Sequence, residues 1–185
     1  MISIKKTAVI GAGTMGAAIA QHFCTKGLDV TLLDVSEANL ERGKRTIHQT
    51  LEDAKFRKIF KEDEVSAILG RLRCSTRMET LAECDLVVEA VFEDLKIKKK
   101  LFQESERFVS RNCILASNTS SFLITDIAEG LEYPERAVGV HYFFHAAKNK
   151  LVELIPGKNT SPAVLYRLWN FYTSCDKIPI RVKDV

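Results

Sequence analysis

No segment of this 185-residue sequence is apolar for long enough to cross a membrane. The longest apolar stretches, such as Ala17–Ala20, are far shorter than the roughly 18 residues that a spanning helix needs. The first residues, Met1–Lys6, lead directly into a strand-like segment and match neither a signal peptide nor a transit peptide. With 46% apolar and 28% charged residues, the chain has the composition of a protein that buries a core, which excludes general disorder.

The cysteines lack the C-x-x-C spacing of many zinc and redox sites. They are scattered and odd in number, so we expect reduced thiols in a cytoplasmic protein and no metal centre. The net charge of +3 is too small to indicate nucleic acid as a partner, and the four prolines mark no linker between domains. The five cysteines are Cys24, Cys74, Cys84, Cys113 and Cys175.

Short apolar runs alternate along the chain with longer helical stretches. A strand at Thr7–Ile10 precedes a helix that ends near Lys26, and a strand at Asp29–Leu33 precedes a long helix from Ser36 to about Lys58. Because such alternation favours parallel pairing, we predict one α/β domain over residues 1–185. Its expected architecture is a doubly wound, Rossmann-type, mainly parallel sheet with a helical arm after the second strand. Further strands are expected near residues 72–75, 86–88, 113–116, 138–140, 151–155 and 178–182.

A glycine motif follows the first predicted strand and begins the first helix. It matches G-x-G-x-x-G and lies 18 residues before Asp34, which ends the second strand. In a dinucleotide site, Gly11 permits the turn, Gly13 lets backbone N–H groups approach a pyrophosphate, and Gly16 allows close packing. Asp34 would accept hydrogen bonds from the adenosine ribose and repel a 2′-phosphate, which favours NAD over NADP. Alternatively, the glycines form a purely structural turn, and Asp34 is only an exposed turn residue. The motif is Gly11-Ala12-Gly13-Thr14-Met15-Gly16.

Of the four histidines, His141 stands at the end of a predicted strand, where open α/β sheets bind ligands. A base is needed when a nicotinamide enzyme oxidises an alcohol, and the ordinary histidine pKa of about 6.5 suits that task. Glu153, on the next strand, can hold the second ring nitrogen of His141. The alternative is a hydrogen-bonded core histidine. His22 and His48 lie within helices, where packing or surface roles are expected, and no further ligand supports a metal site at His141 and His145.

Several motifs, taken together, resemble the NAD-binding domain of the L-3-hydroxyacyl-CoA dehydrogenase family. They cover nearly the whole chain in the family's order and spacing, and the S-N-T-S-S run with the downstream His and Glu is more specific than the glycine motif. The matching segments are Gly11–Ala20, Asp85–Ala90, Glu93–Lys98, Ala116–Ser121, Gly139–Phe144 and Lys150–Glu153.

The resemblance implies a role for each matching residue. His141 corresponds to the catalytic base and Glu153 to the acid that orients it. Ser120 corresponds to the serine that contacts the substrate's 3-oxygen beside the nicotinamide, although the same serine-rich segment can serve only as a helix cap. Glu93 and Lys98 correspond to positions near the cofactor.

The helical arm of the family helps to hold coenzyme A, and Thr50 and Arg57 occupy the corresponding positions. An exposed charged helix is the alternative there. The sequence departs from the family pattern H-F-F-N-P, because Phe144 and His145 stand where the family has Asn and Pro. That Asn contacts cofactor and substrate in the family, so an equivalent contact is not expected from Phe144. The family's all-helical second domain, with a further catalytic asparagine and most of the dimer interface, has no counterpart in these residues.

The resemblance therefore implies NAD-dependent, reversible oxidation of 3-hydroxyacyl-CoA to 3-oxoacyl-CoA, with this chain as the cofactor-binding domain. Expected partners are an acyl-CoA and, for the full-length enzyme, a second copy in a homodimer, with no nucleic acid or membrane. Two alternatives remain open. One is an NAD-dependent sugar-acid dehydrogenase of the same family, acting on a substrate such as L-gulonate, and the other is a nucleotide-binding module without activity of its own.

Overall fold

The computed structural model describes residues 3–185, which form eight strands, six α-helices and two short 3-10 turns. The long helix over Glu37–Phe56 begins where Ser36 accepts a hydrogen bond from the backbone N–H of Asn39, as expected of an N-cap serine. The elements in chain order are β1 (Lys6–Ile10), α1 (Thr14–Thr25), β2 (Asp29–Leu33), α2 (Glu37–Phe56), α3 (Glu62–Leu69), β3 (Leu72–Ser75), β4 (Leu86–Glu89), α4 (Leu95–Glu106), β5 (Ile114–Ser117), α5 (Ile124–Ile127), β6 (Ala137–Tyr142), β7 (Leu151–Ile155), α6 (Pro162–Ser174) and β8 (Ile178–Arg181).

The eight strands form one sheet in the order β3-β2-β1-β4-β5-β6-β7-β8. The chain builds outward from β1 to β3 and then returns to continue from β4 on the other side of β1. This reversal makes a crevice at the carboxyl ends of β1 and β4, where doubly wound folds bind ligands. The doubly wound, mainly parallel α/β fold that the sequence predicts is thus confirmed.

One pair of strands departs from parallel pairing. Strands β6 and β7 are antiparallel, with His141 directly opposite Glu153, whereas every other strand pair is parallel. The physical reason is the connection: residues 143–150 form turns rather than a helix, so the chain reverses direction without crossing over the sheet.

Alternate residues of the central strands enter two different hydrophobic cores, because successive strand side chains point to opposite faces. In β1, Val9 packs with α1, α2 and α6, whereas Ala8 and Ile10 pack with α4 and α5. Both faces of the sheet centre are therefore covered, which fixes the positions of the loops at its carboxyl edge.

The helical arm is anchored only along part of its length. In α2 the buried positions recur at Leu40, Gly43, Ile47 and Leu51, and the last turn projects beyond the core, with Phe56 exposed. The arm thus extends one wall of a cleft above the sheet edge.

Candidate active site

The glycine loop between β1 and α1 is shaped by close backbone contacts. Gly11 has a φ of +105°, and a Cβ there would lie 2.5 Å from the carbonyl oxygen of Ala90. A Cβ on Gly16 would lie 1.7 Å from the carbonyl oxygen of Gly11. A Cβ on Gly13, in contrast, would meet nothing within 4 Å. The first and third glycines are therefore required by packing, and the second leaves an open approach to the start of α1.

The start of α1 has the features of an anion-binding helix end. Its N-cap residue, Gly13, provides no side-chain cap, and Thr14 beside it is exposed. The first N–H groups of a helix have no partner within the helix, and the helix dipole adds positive potential there. Ala12 in the loop and Met15 and Gly16 in the first turn of α1 complete the motif, so the residues of the predicted dinucleotide motif are suited to hold a pyrophosphate.

Asp34 ties the glycine loop to the end of β2. Its Oδ2 accepts a hydrogen bond of 2.8 Å from the backbone N–H of Ala12, and its Oδ1 accepts from the Ser36 N–H and the Asn39 amide, each at 3.0 Å. Since a carboxylate has about four acceptor positions, capacity remains for a ribose hydroxyl. This structural role of Asp34 is not apparent from the sequence.

His141 and Glu153 meet across the antiparallel pair β6–β7. Opposed residues in such a pair point to the same face, and here the Nδ1 of His141 lies 2.7 Å from Oε2 of Glu153. Each side chain is 23% exposed, so the imidazole is not enclosed in the core. The contact occupies Nδ1 and leaves Nε2 as the nitrogen that can exchange a proton with a ligand.

Ser120 lies in the loop after β5, with its hydroxyl within 3.3 Å of the Ser121 hydroxyl. Asn118, two residues earlier, accepts a 2.9 Å hydrogen bond from the backbone N–H of Tyr142 through its Oδ1. Tyr142 directly follows His141, so this bond joins the loop of Ser120 to the strand of the histidine. The sequence does not reveal this contact of Asn118, because it shows only that the residue belongs to the S-N-T-S-S run.

Glu93, in the loop between β4 and α4, holds the Ser120 loop. Its Oε1 accepts hydrogen bonds from the Thr119 hydroxyl and, at 3.1 Å, from the backbone N–H of Ser120. Burial acts to raise the pKa of Glu93, but the hydrogen bonds from Thr119 and Lys98 and the charge of Lys98 outweigh it and lower the pKa. Glu93 is thus held as a carboxylate beside Ser120.

Lys98 is almost completely buried, with a 1% exposed side chain. Its Nζ lies 2.6 Å from Oε1 of Glu89 and 3.0 Å from Oε2 of Glu93. Lys98 therefore lies beneath Glu93 rather than on the open side of the site. Glu89, which is equally buried, was not recognised from the sequence because an acid at the end of an apolar strand gives no sign of its partner.

A cavity of about 310 Å³ separates the helical arm from the segment after β6. Thr50 in α2 and Arg57 directly after its end line it from one side, and His145 and Lys148 line it from the opposite side. Burial, and then the charge of Lys148, lower the pKa of His145, whose Nδ1 accepts from the Ala147 N–H at 3.2 Å. The structure thus places the two arm residues opposite the histidine that replaces the family's proline.

Two further expectations concern metals and membranes. Within residues 3–185, no cluster of three or more His, Cys, Asp or Glu side chains is arranged to hold a metal ion. The helices of the same residues include none that is long and apolar enough to cross a membrane.

All five cysteines are free thiols.

Comparison with known proteins agrees with this geometry. Residues 6–185 match the family model described as 3-hydroxyacyl-CoA dehydrogenase, NAD binding domain. A 3-hydroxybutyryl-CoA dehydrogenase of Bradyrhizobium diazoefficiens is 39% identical over 160 residues, which are 86% of this chain and 55% of that protein. A probable 3-hydroxyacyl-CoA dehydrogenase of Caenorhabditis elegans is 33% identical over 189 residues, covering 100% of this chain and 63% of that protein.

A solved structure shows the same likeness in three dimensions. The crystal structure of a 3-hydroxybutyryl-CoA dehydrogenase from Escherichia coli superposes with a TM-score of 0.97 at 36% identity, covering 100% of this chain and 39% of that one. The chain spans between 25% and 63% of the length of curated relatives that it matches. The glycine loop, the sheet order and these matches together show that the chain belongs to the 3-hydroxyacyl-CoA dehydrogenase family and corresponds to its NAD-binding domain.

Proposed function

We propose that this chain supplies the cofactor site and the proton-transferring residues of an enzyme that interconverts 3-hydroxyacyl-CoA and 3-oxoacyl-CoA. The observation that carries the proposal is the 2.7 Å contact between His141 and Glu153, on the strand that Asn118 ties to the Ser120 loop. These contacts support the proposal, because oxidation of a secondary alcohol requires a base, an acid that orients it and a hydroxyl donor close together.

The residues around the glycine loop fit NAD. The open approach at Gly13 and the uncapped start of α1 suit a pyrophosphate, and the remaining acceptor position of Asp34 suits a ribose hydroxyl. The negative charge of Asp34 opposes a 2′-phosphate, which favours NAD over NADP. When bound, the nicotinamide supplies a hydride acceptor for the oxidation.

The chain's own residues handle the proton and the oxygen. In the oxidation, His141 accepts the 3-hydroxyl proton at Nε2 while C3 loses hydride, and the C3–O bond becomes a carbonyl. Glu153 stabilises the imidazolium through Nδ1. The Ser120 hydroxyl donates to the 3-oxygen, where negative charge develops in either direction of the reaction.

The arm cavity is the proposed site of the coenzyme A portion of the substrate. Thr50 offers a hydroxyl and Arg57 a guanidinium, which can hold a phosphate. His145 and Lys148 add donors from the other wall. Phe144, at the position of the family's asparagine, is 69% exposed and does not line this cavity. It carries an apolar ring in place of the amide.

The incomplete coverage of the relatives favours a second candidate for the chain by itself. Because it spans 25–63% of their length, these 185 residues can act as a nucleotide-binding module whose turnover depends on further residues. We propose that such residues carry the dimer contacts of a homodimeric enzyme. The free thiols fit a cytoplasmic location, which we also propose.

Binding and turnover measured separately test these proposals. Calorimetric titration of this chain with NADH is expected to show binding at a single site, and the protein as encoded is expected to consume NADH with acetoacetyl-CoA. Turnover of L-gulonate with NAD, but none of acetoacetyl-CoA, would favour the sugar-acid alternative. Failure to bind NADH would contradict the cofactor assignment.

A further inference from the structure

The turns that join β6 to β7 form one wall of the arm cavity. Residues 143–150 make this connection, and His145 and Lys148 within it line the cavity opposite the helical arm. We propose that Lys177 is a positioning residue that holds this connection in the shape that binds the coenzyme A portion of the substrate. The inference rests on the proposed function, which places coenzyme A in the arm cavity.

Lys177 reaches the connection from another part of the chain. It lies between α6 and β8 and is 5% exposed. Its Nζ donates hydrogen bonds to the carbonyl oxygens of Ala146 and, at 2.5 Å, of Asn149. The same nitrogen lies 5.8 Å from the ring centroid of Tyr142, within the range of a cation–π interaction. One ammonium group thus contacts the connection on both sides of Lys148 and the strand that precedes it.

The ammonium group of Lys177 depends on those carbonyl oxygens. The neighbouring carboxylate, Asp176, is ion-paired with Lys26 of α1, and the hydrogen-bond partners of Lys177 Nζ within residues 3–185 are the two carbonyls. Burial, followed by the charge of Lys26, lowers the pKa of Lys177 to about 8. Because burying a charged group is costly unless it is hydrogen-bonded, the side chain and the two carbonyls hold each other in place.

The hydrogen bonds within the connection converge on His145. Its carbonyl oxygen accepts from the N–H groups of Lys148 at 2.8 Å and Asn149 at 2.9 Å, and its Nδ1 accepts from the Ala147 N–H at 3.2 Å. These donors alternate along the chain with the carbonyls of Ala146 and Asn149 that the ammonium holds. Loss of the ammonium leaves both carbonyls without this donor, so the turns rearrange and carry the two cavity-lining side chains with them.

The proposed proton-transferring pair has separate support. His141 lies in β6 and Glu153 in β7, where the two residues are paired directly across the strands and their side chains are in contact. The regular pairing of the strands, rather than the turns, sets the position of this pair. We therefore expect loss of Lys177 to weaken binding of the substrate more than it slows the chemical step.

Two substrates of different length separate positioning from a general loss of structure. In the protein as encoded, Lys177→Met is expected to raise the KM for acetoacetyl-CoA by about tenfold, while kcat and the NADH Kd change by less than about threefold. The acetoacetyl thioester of N-acetylcysteamine keeps the reacting carbonyl but lacks the nucleotide and most of the pantetheine. Its kcat/KM is expected to change by less than about twofold, because it does not fill the arm cavity. Lys183→Met, at an exposed lysine that follows β8, is the matched control and should leave every value unchanged.

Backbone hydrogen exchange gives a second readout that needs no turnover. In Lys177→Met the amides of Ala147, Lys148 and Asn149 are expected to exchange about tenfold faster, while the amides of β1 keep their rates. An unchanged KM for acetoacetyl-CoA, an equal loss with both thioesters, or unchanged exchange in the folded variant would each overturn the inference. If Lys177→Met fails to fold, the milder Lys177→Gln decides it by the same measurements. If the parent protein does not turn over acetoacetyl-CoA, the proposed function fails, and the exchange rates still show whether Lys177 holds the connection.

Discussion

A single buried histidine determines part of the response of this chain to acid. His22 on α1 is 4% exposed, and burial, followed by the charges of Lys177 and Lys26, lowers its pKa to about 3. In the unfolded chain its pKa is near 6.5, so below that value the unfolded state binds the proton that the folded state refuses. The folded state therefore loses stability as pH falls from about 6.5 towards 3.

Replacing His22 should remove this loss. When pH falls from 7.5 to 5, His22 is expected to lower the free energy of unfolding of the parent chain by about 2 kcal/mol. His22→Gln should not show this decrease. Urea unfolding of both proteins at the two pH values measures the difference, in which the contributions of other titrating groups largely cancel. His48→Gln, at an exposed position of α2, is the control and should follow the parent. Equal pH dependence in His22→Gln and the parent would show that His22 is not held neutral.

At the scale of elements, the short helix α5 depends on a residue from the other end of the domain. Asp184 accepts hydrogen bonds from the N–H groups of Ile124 at 2.7 Å and Thr125 at 3.0 Å, and from the Thr125 hydroxyl at 2.6 Å. These bonds satisfy the first donors of α5, which has no cap from its own N-cap residue, Leu123.

Removing this carboxylate should weaken the domain at α5. Asp184→Ala is expected to lower the free energy of unfolding by about 1–2 kcal/mol, because two N–H groups lose their acceptor. Asp184→Asn, with one acceptor oxygen, should lose less, and the exposed neighbour Lys183→Ala should change little. Denaturant unfolding provides the values. A change in Asp184→Ala no larger than in Lys183→Ala would contradict the capping role.

The elements were largely predictable because their signals are local. Local signals predict each strand and helix close to its observed position. These signals are the glycine motif, the N-cap at Ser36 and the alternation of apolar runs. The contact between His141 and Glu153 could also be predicted from the sequence, because the two residues lie on successive strands at the same edge of the sheet. The antiparallel direction of β6 and β7 was not predicted, because it depends on a turn without regular structure.

Contacts between distant segments could not be predicted in the same way. The bonds of Glu89 to Lys98 and Ser117, and of Asn118 to the backbone of Tyr142, join residues from different strands and helices. Their partners are chosen by the packing of β4, β5 and β6 side by side. A polar residue within an apolar run indicates only that some partner exists.

Across the whole molecule, the proposed cofactor site and the proposed proton-transferring pair occupy one edge of the sheet but different strands. The glycine loop follows β1 at the centre, whereas His141 and Glu153 belong to β6 and β7, on the far side of β4 and β5. Two cores, one on each face, hold these strands in register. The two proposed functions therefore depend on different side chains, and we expect that one can be removed while the other remains.

Removal of the His141 imidazole tests this account most directly. In the protein as encoded, His141→Ala is expected to lower turnover of acetoacetyl-CoA with NADH by a factor on the order of 10² or more, while the NADH Kd stays within about threefold of the parent. His48→Ala, which changes an exposed histidine on α2, should leave both values unchanged. Near-normal turnover in His141→Ala would contradict the assignment of the base.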